Sequence, residues 1–204
     1  MDEIGLFPLE LVLLPTERIP LHIFEERYKE LIGECLVQDS EFGLLLDGAE
    51  VGTRARVTQV LQELPDGRLN IVVEGRERFR VVETTDGRSF QTALVEPVED
   101  EDEPVDAEET ERALAVFRRL VELTATEVDE PSLDSPLLTF ELAARVDFGN
   151  ALKQELLEIR SPQERIERLT ELLQRAAEAI ELEKTVHDRA SSNGKVMPLR
   201  PDEP

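Results

Sequence analysis

Residues 5–32 read GLFPLELVLLPTERIPLHIFEERYKELI, and the reading of this stretch decides the fold. Leu11, Val12, Leu13 and Leu14 form an apolar run of strand length. Pro15 and Pro20 bracket a turn of restricted geometry, because each ring fixes its own φ and biases the preceding residue toward extended backbone. Phe24, Tyr28, Leu31, Ile32, Cys35 and Leu36 then recur at helical spacing, which predicts a helix with one face turned inward.

Beyond this stretch the chain reads as strands. Phe42 to Leu46 is a short apolar run closed by Asp47-Gly48. Thr53, Ala55, Val57, Gln59 and Leu61 alternate as in a half-buried strand between Gly52 and Leu64. Pro65-Asp66-Gly67 turns the chain so that Leu69 to Val73 pairs back. Gly75 permits a bend or bulge before Arg76 to Val82, and Asp86-Gly87 marks a second hairpin leading into Phe90 to Val95. The expected product is a compact, mainly antiparallel barrel carrying one early helix.

At Pro20-Leu21-His22-Ile23-Phe24-Glu25-Glu26-Arg27-Tyr28 the chain resembles, almost position for position, the signature of the LON module. That module is the substrate-binding amino-terminal domain of Lon proteases and is also found in cereblon. Gly52-Thr53-Arg54-Ala55, Leu64-Pro65-Asp66-Gly67-Arg68 and Val73-Glu74-Gly75-Arg76-Glu77-Arg78-Phe79 resemble further phrases of the same family, in the same order. The run from Leu152 to Glu158 and the Ser-Pro helix start after it extend the likeness to roughly residues 5–180. The resemblance implies an α+β fold: a PUA-like antiparallel β pseudobarrel with one early helix, then a carboxy-terminal helical bundle with a long last helix.

The expected organisation is a β-rich unit over residues 1–98, an acidic linker over 99–105, a helical unit over 106–190 and a disordered tail over 191–204. The linker reading comes from Glu99-Asp100-Glu101-Asp102-Glu103, whose self-repulsion between Pro97 and Pro104 favours exposure. A helix begins near Asp106 and places Leu114, Phe117, Leu120, Val121 and Thr124 on one face. Leu138, Leu142 and Val146 predict another, ended near Gly149, and Ala151 to Ile159 a third. Ser161-Pro162-Gln163-Glu164 combines a capping serine, proline at the first helical position and glutamate three residues after the cap. From there Ile166, Leu169, Leu173, Ala176 and Ile180 form a seam, and a helix reaching Ala190 spans about 45 Å.

Composition narrows the function classes. The 204 residues carry a net charge of −23, and residues 95–130 alone hold 14 acids against 3 bases. Such a field disfavours phosphate backbones and anionic membranes, which need clustered Lys and Arg. Arg76, Arg78 and Arg80, with Arg54 and Arg56 beside them, form the best stripe for nucleic acid. Glutamates flank it and stacking aromatics are missing, so it reads as a balanced solvent face. No apolar run reaches membrane-spanning length, and Met1-Asp2-Glu3 is acidic where a secretory leader is basic, so the cytoplasm is expected. Aromatic residues make up 4% of the chain with no Trp, so the core is aliphatic. The single cysteine, Cys35, reads as a buried thiol.

Catalytic chemistry is not expected. Complete Lon proteases add an ATPase and a Ser–Lys peptidase, and neither is recognisable in this sequence. Gly194-Lys195 lacks the upstream glycine and following Ser or Thr of a phosphate loop, and Ser191 or Ser192 near Lys195 has nothing to hold it in register. His22 and His187 stand far apart with no cysteine cluster to complete a zinc site, so no metal or cofactor is expected. His22 reads as a loop or core-edge residue satisfied by backbone. The candidate contact surface is the proline-bracketed loop, with Leu14, Pro15, Arg18, Ile19, Leu21 and His22 as peptide-binding residues. A preordered loop loses little entropy on docking a partner, and a groove between barrel and helical bundle is the natural place for an extended peptide. The opposing expectation is that Leu14 and Ile19 tuck into the barrel. The partners implied are unfolded or exposed hydrophobic protein segments and a proteolytic machine, for a non-enzymatic adaptor or holdase that is monomeric or weakly dimeric. The alternatives are an RNA-associated module using the arginine stripe and a structural protein that oligomerises through its last helix.

Overall fold

The computed structural model describes residues 1–193 apart from Asp86, Glu130, Leu133 and Asp134, with side chains described as far as Val186. The strands are β1 (Asp2–Leu9), β2 (Arg18–Ile23), β3 (Phe42–Leu46), β4 (Val51–Glu63), β5 (Leu69–Thr85) and β6 (Thr92–Pro97). Helix α1 (Glu26–Gln38) follows β2, and α2 (Ala107–Thr124), α3 (Leu138–Ala143), α4 (Asn150–Glu158) and α5 (Pro162–Asn193) complete the chain. The sheet runs β2-β5-β4-β3-β1-β6, and β5 also pairs with β6, which closes it into a barrel. All pairs are antiparallel except β1 with β3.

Closure depends on the length of β5. Its first half lies between β2 and β4, and its second half reaches β6. Between Gly75 and Arg78 the register shifts, so Arg76 and Glu77 together face Arg54. This is the bulge that Gly75 suggested. Two more shifts in β4, after Val57 and after Val60, turn its end away from the core. Leu61, expected to face inward, is therefore 53% exposed.

The apolar run Leu11–Leu14 is not a strand. The ladder forms earlier, at β1, and later, at β2, which contains Pro20 instead of ending before it. The run is buried because its side chains serve two cores. Leu13 joins Ile23, Tyr28, Ile32, Phe42, Ile71 and Val73 in the barrel, while Val12 and Leu14 join Phe117, Phe140, Leu156, Leu169 and Leu173 among the helices. Each such side chain, fully buried, contributes about 1.5–3 kcal/mol. Helix α1 buries Tyr28, Leu31, Ile32 and Cys35 as expected, while Leu36, expected on the same face, is exposed at its edge. Phe24 precedes that helix and is 60% exposed, because the chain is still extended there and the inward stripe has not begun. Burial raises the Cys35 thiol pKa and keeps it protonated.

Helix α2 starts where expected, and the Asp106 side chain caps it by accepting from the Glu108 amide. Helix α3 is short, and Gly149, with φ of 74°, precedes α4. Helix α5 begins as its sequence predicts, with the Glu164 amide donating to Ser161 Oγ at 2.9 Å. Ser161→Ala is expected to destabilise the protein by about 1 kcal/mol in urea unfolding, the usual cost of a lost N-cap. Residues 191–193, expected in the tail, continue the helix; residues 194–204 lie outside the described residues.

Candidate functional site: a cleft between barrel and helices

The loop from Leu14 to Glu17 is fastened on every side. The Leu14 amide donates to Glu17 Oε2 at 2.9 Å, and the other Glu17 oxygen holds Lys153 Nζ from α4. The Thr16 amide donates to Gly75 O, and the Gly75 amide donates to Glu17 O, both at 2.9 Å. Thr16 is held at φ of 69°, a left-handed conformation that costs a β-branched residue about 1–3 kcal/mol. The hydrogen bonds on either side hold it there. At Gly75 even a methyl group would stand 2.1 Å from Leu14 O, so only glycine lets loop and strand meet.

Pro15 and Thr16 form one wall of a cleft of 690 Å³. The β5 bulge from Glu74 to Arg78 supplies its back, and Pro97 and Leu137 give it apolar surface, with the buried Val98 and Phe140 packed behind them. Glu41, Glu77, Glu99 and Asp100 bring carboxylates to the same space. The site thus pairs a preordered rim with an apolar, acid-edged interior.

Beneath the cleft lies a buried charge cluster. Arg165 donates through Nη1 and Nη2 to the two oxygens of Asp100, each at 2.7 Å. Arg78 donates to Asp100 and to the Leu157 and Ile159 carbonyls. Both guanidiniums lie over the Phe140 ring, at 4.2 Å for Arg165 and 5.3 Å for Arg78. Arg165 is 1% exposed and also donates to Thr139 Oγ1 and to Ile159 O, so its charge is satisfied. Burial pushes the Arg78 guanidinium down to about 10, which leaves it charged at neutral pH. Burial opposes ionisation of Asp100, but hydrogen bonds and attraction from Arg165, then Arg78, outweigh it and hold the carboxyl below its usual range.

The cluster corrects two expectations. The acidic segment is exposed at Glu99, Glu101 and Asp102 but anchored at its other two acids: Asp100 ties the barrel strand β5 to α5, and Glu103 accepts from Ser161 Oγ and from the Gln163 amide. Nor is the arginine stripe one solvent face. Arg78 is covered by the helical layer, while Arg54 pairs with Asp2, Arg56 with Asp39, Arg76 with Glu74 and Arg80 with Glu50. No arginine of the stripe is left over for a phosphate.

The six residues singled out in the proline loop divide. Leu14 is wholly buried and Leu21 nearly so, because both feed the cores, so neither presents a side chain to a partner. Ile19 is half-buried against the barrel core. Pro15 is buried yet lines the cleft. Arg18 and His22 are exposed on β2, where Arg18 pairs with Glu74. His22 Nδ1 donates to Asn70 Oδ1 at 2.6 Å, a side-chain partner in place of the expected backbone one. Asn70 in turn donates to Gln62. Sequence reasoning passed over Leu137, Phe140, Val98, Glu41 and Glu77; only Phe140, an aromatic in an aromatic-poor chain, carried any signal. Among the described residues no group of His, Cys, Asp and Glu is placed to hold a metal ion, and no helix is long and apolar enough to cross a membrane.

A closed six-stranded barrel backed by helices, with a cleft at their junction, makes this a domain of α+β class. Residues 3–175 match the family model of the ATP-dependent protease La (LON) substrate-binding domain, and the chain belongs to that family. The chain is 26% identical to the Lon protease of Brucella melitensis over 88% of its own length, and 27% identical to that of Escherichia coli over 92%. It spans about a quarter of the length of these curated relatives, 24% and 26% respectively. Among solved structures it is similar to a Lon N-terminal domain protein from Xanthomonas campestris, at 30% identity and a TM-score of 0.66, covering 83% of this chain and 97% of that one. The N-terminal domain of Lon protease from the Mycobacterium avium complex shares the fold, with a TM-score of 0.65 at 17% identity, covering 84% and 98%.

Proposed function

We propose that this chain is a non-catalytic recognition module that holds exposed apolar segments of other proteins in the cleft between barrel and helices, acting as an adaptor or holdase beside a proteolytic machine. The observation that carries this reading is the cleft itself. Its accessible apolar surface, at Pro97 and Leu137, faces a rim fixed by the Glu17–Lys153 and Thr16–Gly75 contacts. Apolar surface beside a rigid rim favours binding because little order remains to be imposed. Membership of a substrate-binding family supports the same conclusion.

The test is a fluorescence titration with a reduced, alkylated model protein that cannot fold. Saturable binding is expected, and Leu137→Asp or Pro97→Asp is expected to abolish it while the thermal melt stays intact. Lack of saturable binding, or full binding by both folded variants, would remove the reading. Loss on Arg18→Glu and His22→Ala instead would move the contact from the cleft to the outer face of β2.

A further inference from the structure

Every arginine lining the cleft is already spoken for. Arg56 pairs with Asp39, Arg76 with Glu74, and Arg78 with Asp100. The carboxylates are not all matched in this way. Glu41, Glu77 and Glu99 line the same cleft, and among the described residues none of their side chains has an ion-pair or hydrogen-bond partner. Glu77 and Glu99 are exposed and Glu41 is half-buried, so all three reach solvent. The cleft therefore has apolar surface at Pro97 and Leu137, neutralised arginines, and three unmatched negative charges.

We propose that the cleft selects polypeptide segments in which an apolar anchor is flanked by lysine or arginine, an inference that rests on peptide capture at this site. The anchor would cover the apolar surface while flanking cations reach Glu41, Glu77 and Glu99. Part enclosure by low-dielectric walls concentrates the field of the three carboxylates, and the net charge of −23 on the whole chain adds an attraction of the same sign. Acidic segments are rejected by the same groups. Specificity of this kind comes from repulsion of the wrong partner as much as from attraction of the right one.

The experiment uses the full chain and three short labelled peptides that share one Leu-Phe pair, flanked by Lys, by Gln or by Glu. In low salt the Lys-flanked peptide is expected to bind about tenfold more tightly than the Gln-flanked one, since exposed pairs contribute modestly one by one. The Glu-flanked peptide should bind most weakly, and high salt should erase the differences. Glu41→Gln/Glu77→Gln/Glu99→Gln is expected to remove the preference and leave binding of the Gln-flanked peptide unchanged. Glu108→Gln/Glu111→Gln/Glu122→Gln neutralises as much charge on α2, away from the cleft, and is expected to leave the preference in place. Equal affinity for the three peptides, or an equal fall in preference with both triple variants, would overturn the inference while leaving peptide capture standing. Absence of saturable binding by all three peptides would overturn both.

Discussion

Asp100→Asn is expected to lower the melting temperature by about 6–12 °C, corresponding to roughly 3 kcal/mol in a chain of this size. Asp100 is the single carboxylate between Arg78 and Arg165, two guanidiniums that the helical layer removes from water. In the asparagine variant both charges stay buried without a counter-charge: one acceptor oxygen remains beside the carbonyls and Thr139 Oγ1, and the new amide NH2 faces guanidinium donors. Removing one partner of a buried pair costs more than the pair contributes, because the survivor is left uncompensated. The Asp100 side chain itself is 28% exposed, which places the expected loss at the lower end of the range for buried pairs. The pH dependence has a definite sign. The folded-state pKa of Asp100 is depressed, so its contribution is present above the unfolded carboxyl value of about 3.9. That contribution disappears as the pH falls through the folded value. The asparagine variant should therefore lose part of the acid limb of the stability profile. A melt within about 1 °C of the parent would show that solvent already screens the cluster.

Gly75→Ala is expected to be at least as damaging, at roughly 3 kcal/mol or more. The clash is with backbone: the new methyl would stand 2.1 Å from the Leu14 carbonyl oxygen and 2.9 Å from its carbon. Leu14 cannot retreat, because its side chain is sealed in the helical core and its amide is held by Glu17. The loop must move as a unit, which breaks the two hydrogen bonds joining Gly75 to Thr16 and Glu17. Hydrogen exchange at the Thr16 amide should accelerate along with the fall in stability. Gly33→Ala is the control. Nothing lies within 4 Å of the added methyl, and a helical alanine is favoured over glycine by about 0.5–1 kcal/mol. Unchanged exchange at Thr16 in Gly75→Ala would show that the loop accommodates the methyl without losing its contacts.

What could be read from the sequence was what is encoded locally. Pro65-Asp66-Gly67 announces its turn, with Gly67 at φ of 80°. Ser161 caps α5 as its sequence indicates, because a cap is a bond between near neighbours, and α2 starts beside Asp106 as expected. The run Leu11–Leu14 was misread as a strand because four apolar residues do not reveal whether a ladder partner exists. In the fold their backbone is held by Thr53 Oγ1 and Glu17, two side-chain contacts without periodicity. Asp100 looked like one solvated acid among five. Its partners lie 22 and 65 residues away, and no local charge pattern points to them. A groove between barrel and helices could be expected, but not its lining, for the same reason: its apolar residues come from β6, the segment after it and α3, and only packing brings them together.

The route of Val12 and Leu14 into the helical core has a consequence for synthesis. These two side chains leave the ribosome early, whereas Leu156, Leu169 and Leu173, which cover them, are made much later. Contacts so distant in sequence close slowly, and surface awaiting them stays available to other chains. Between those two events the nascent protein therefore carries a bare aliphatic strip beside a forming barrel. Until α5 arrives, the protein is itself a client of the kind its finished cleft is proposed to hold.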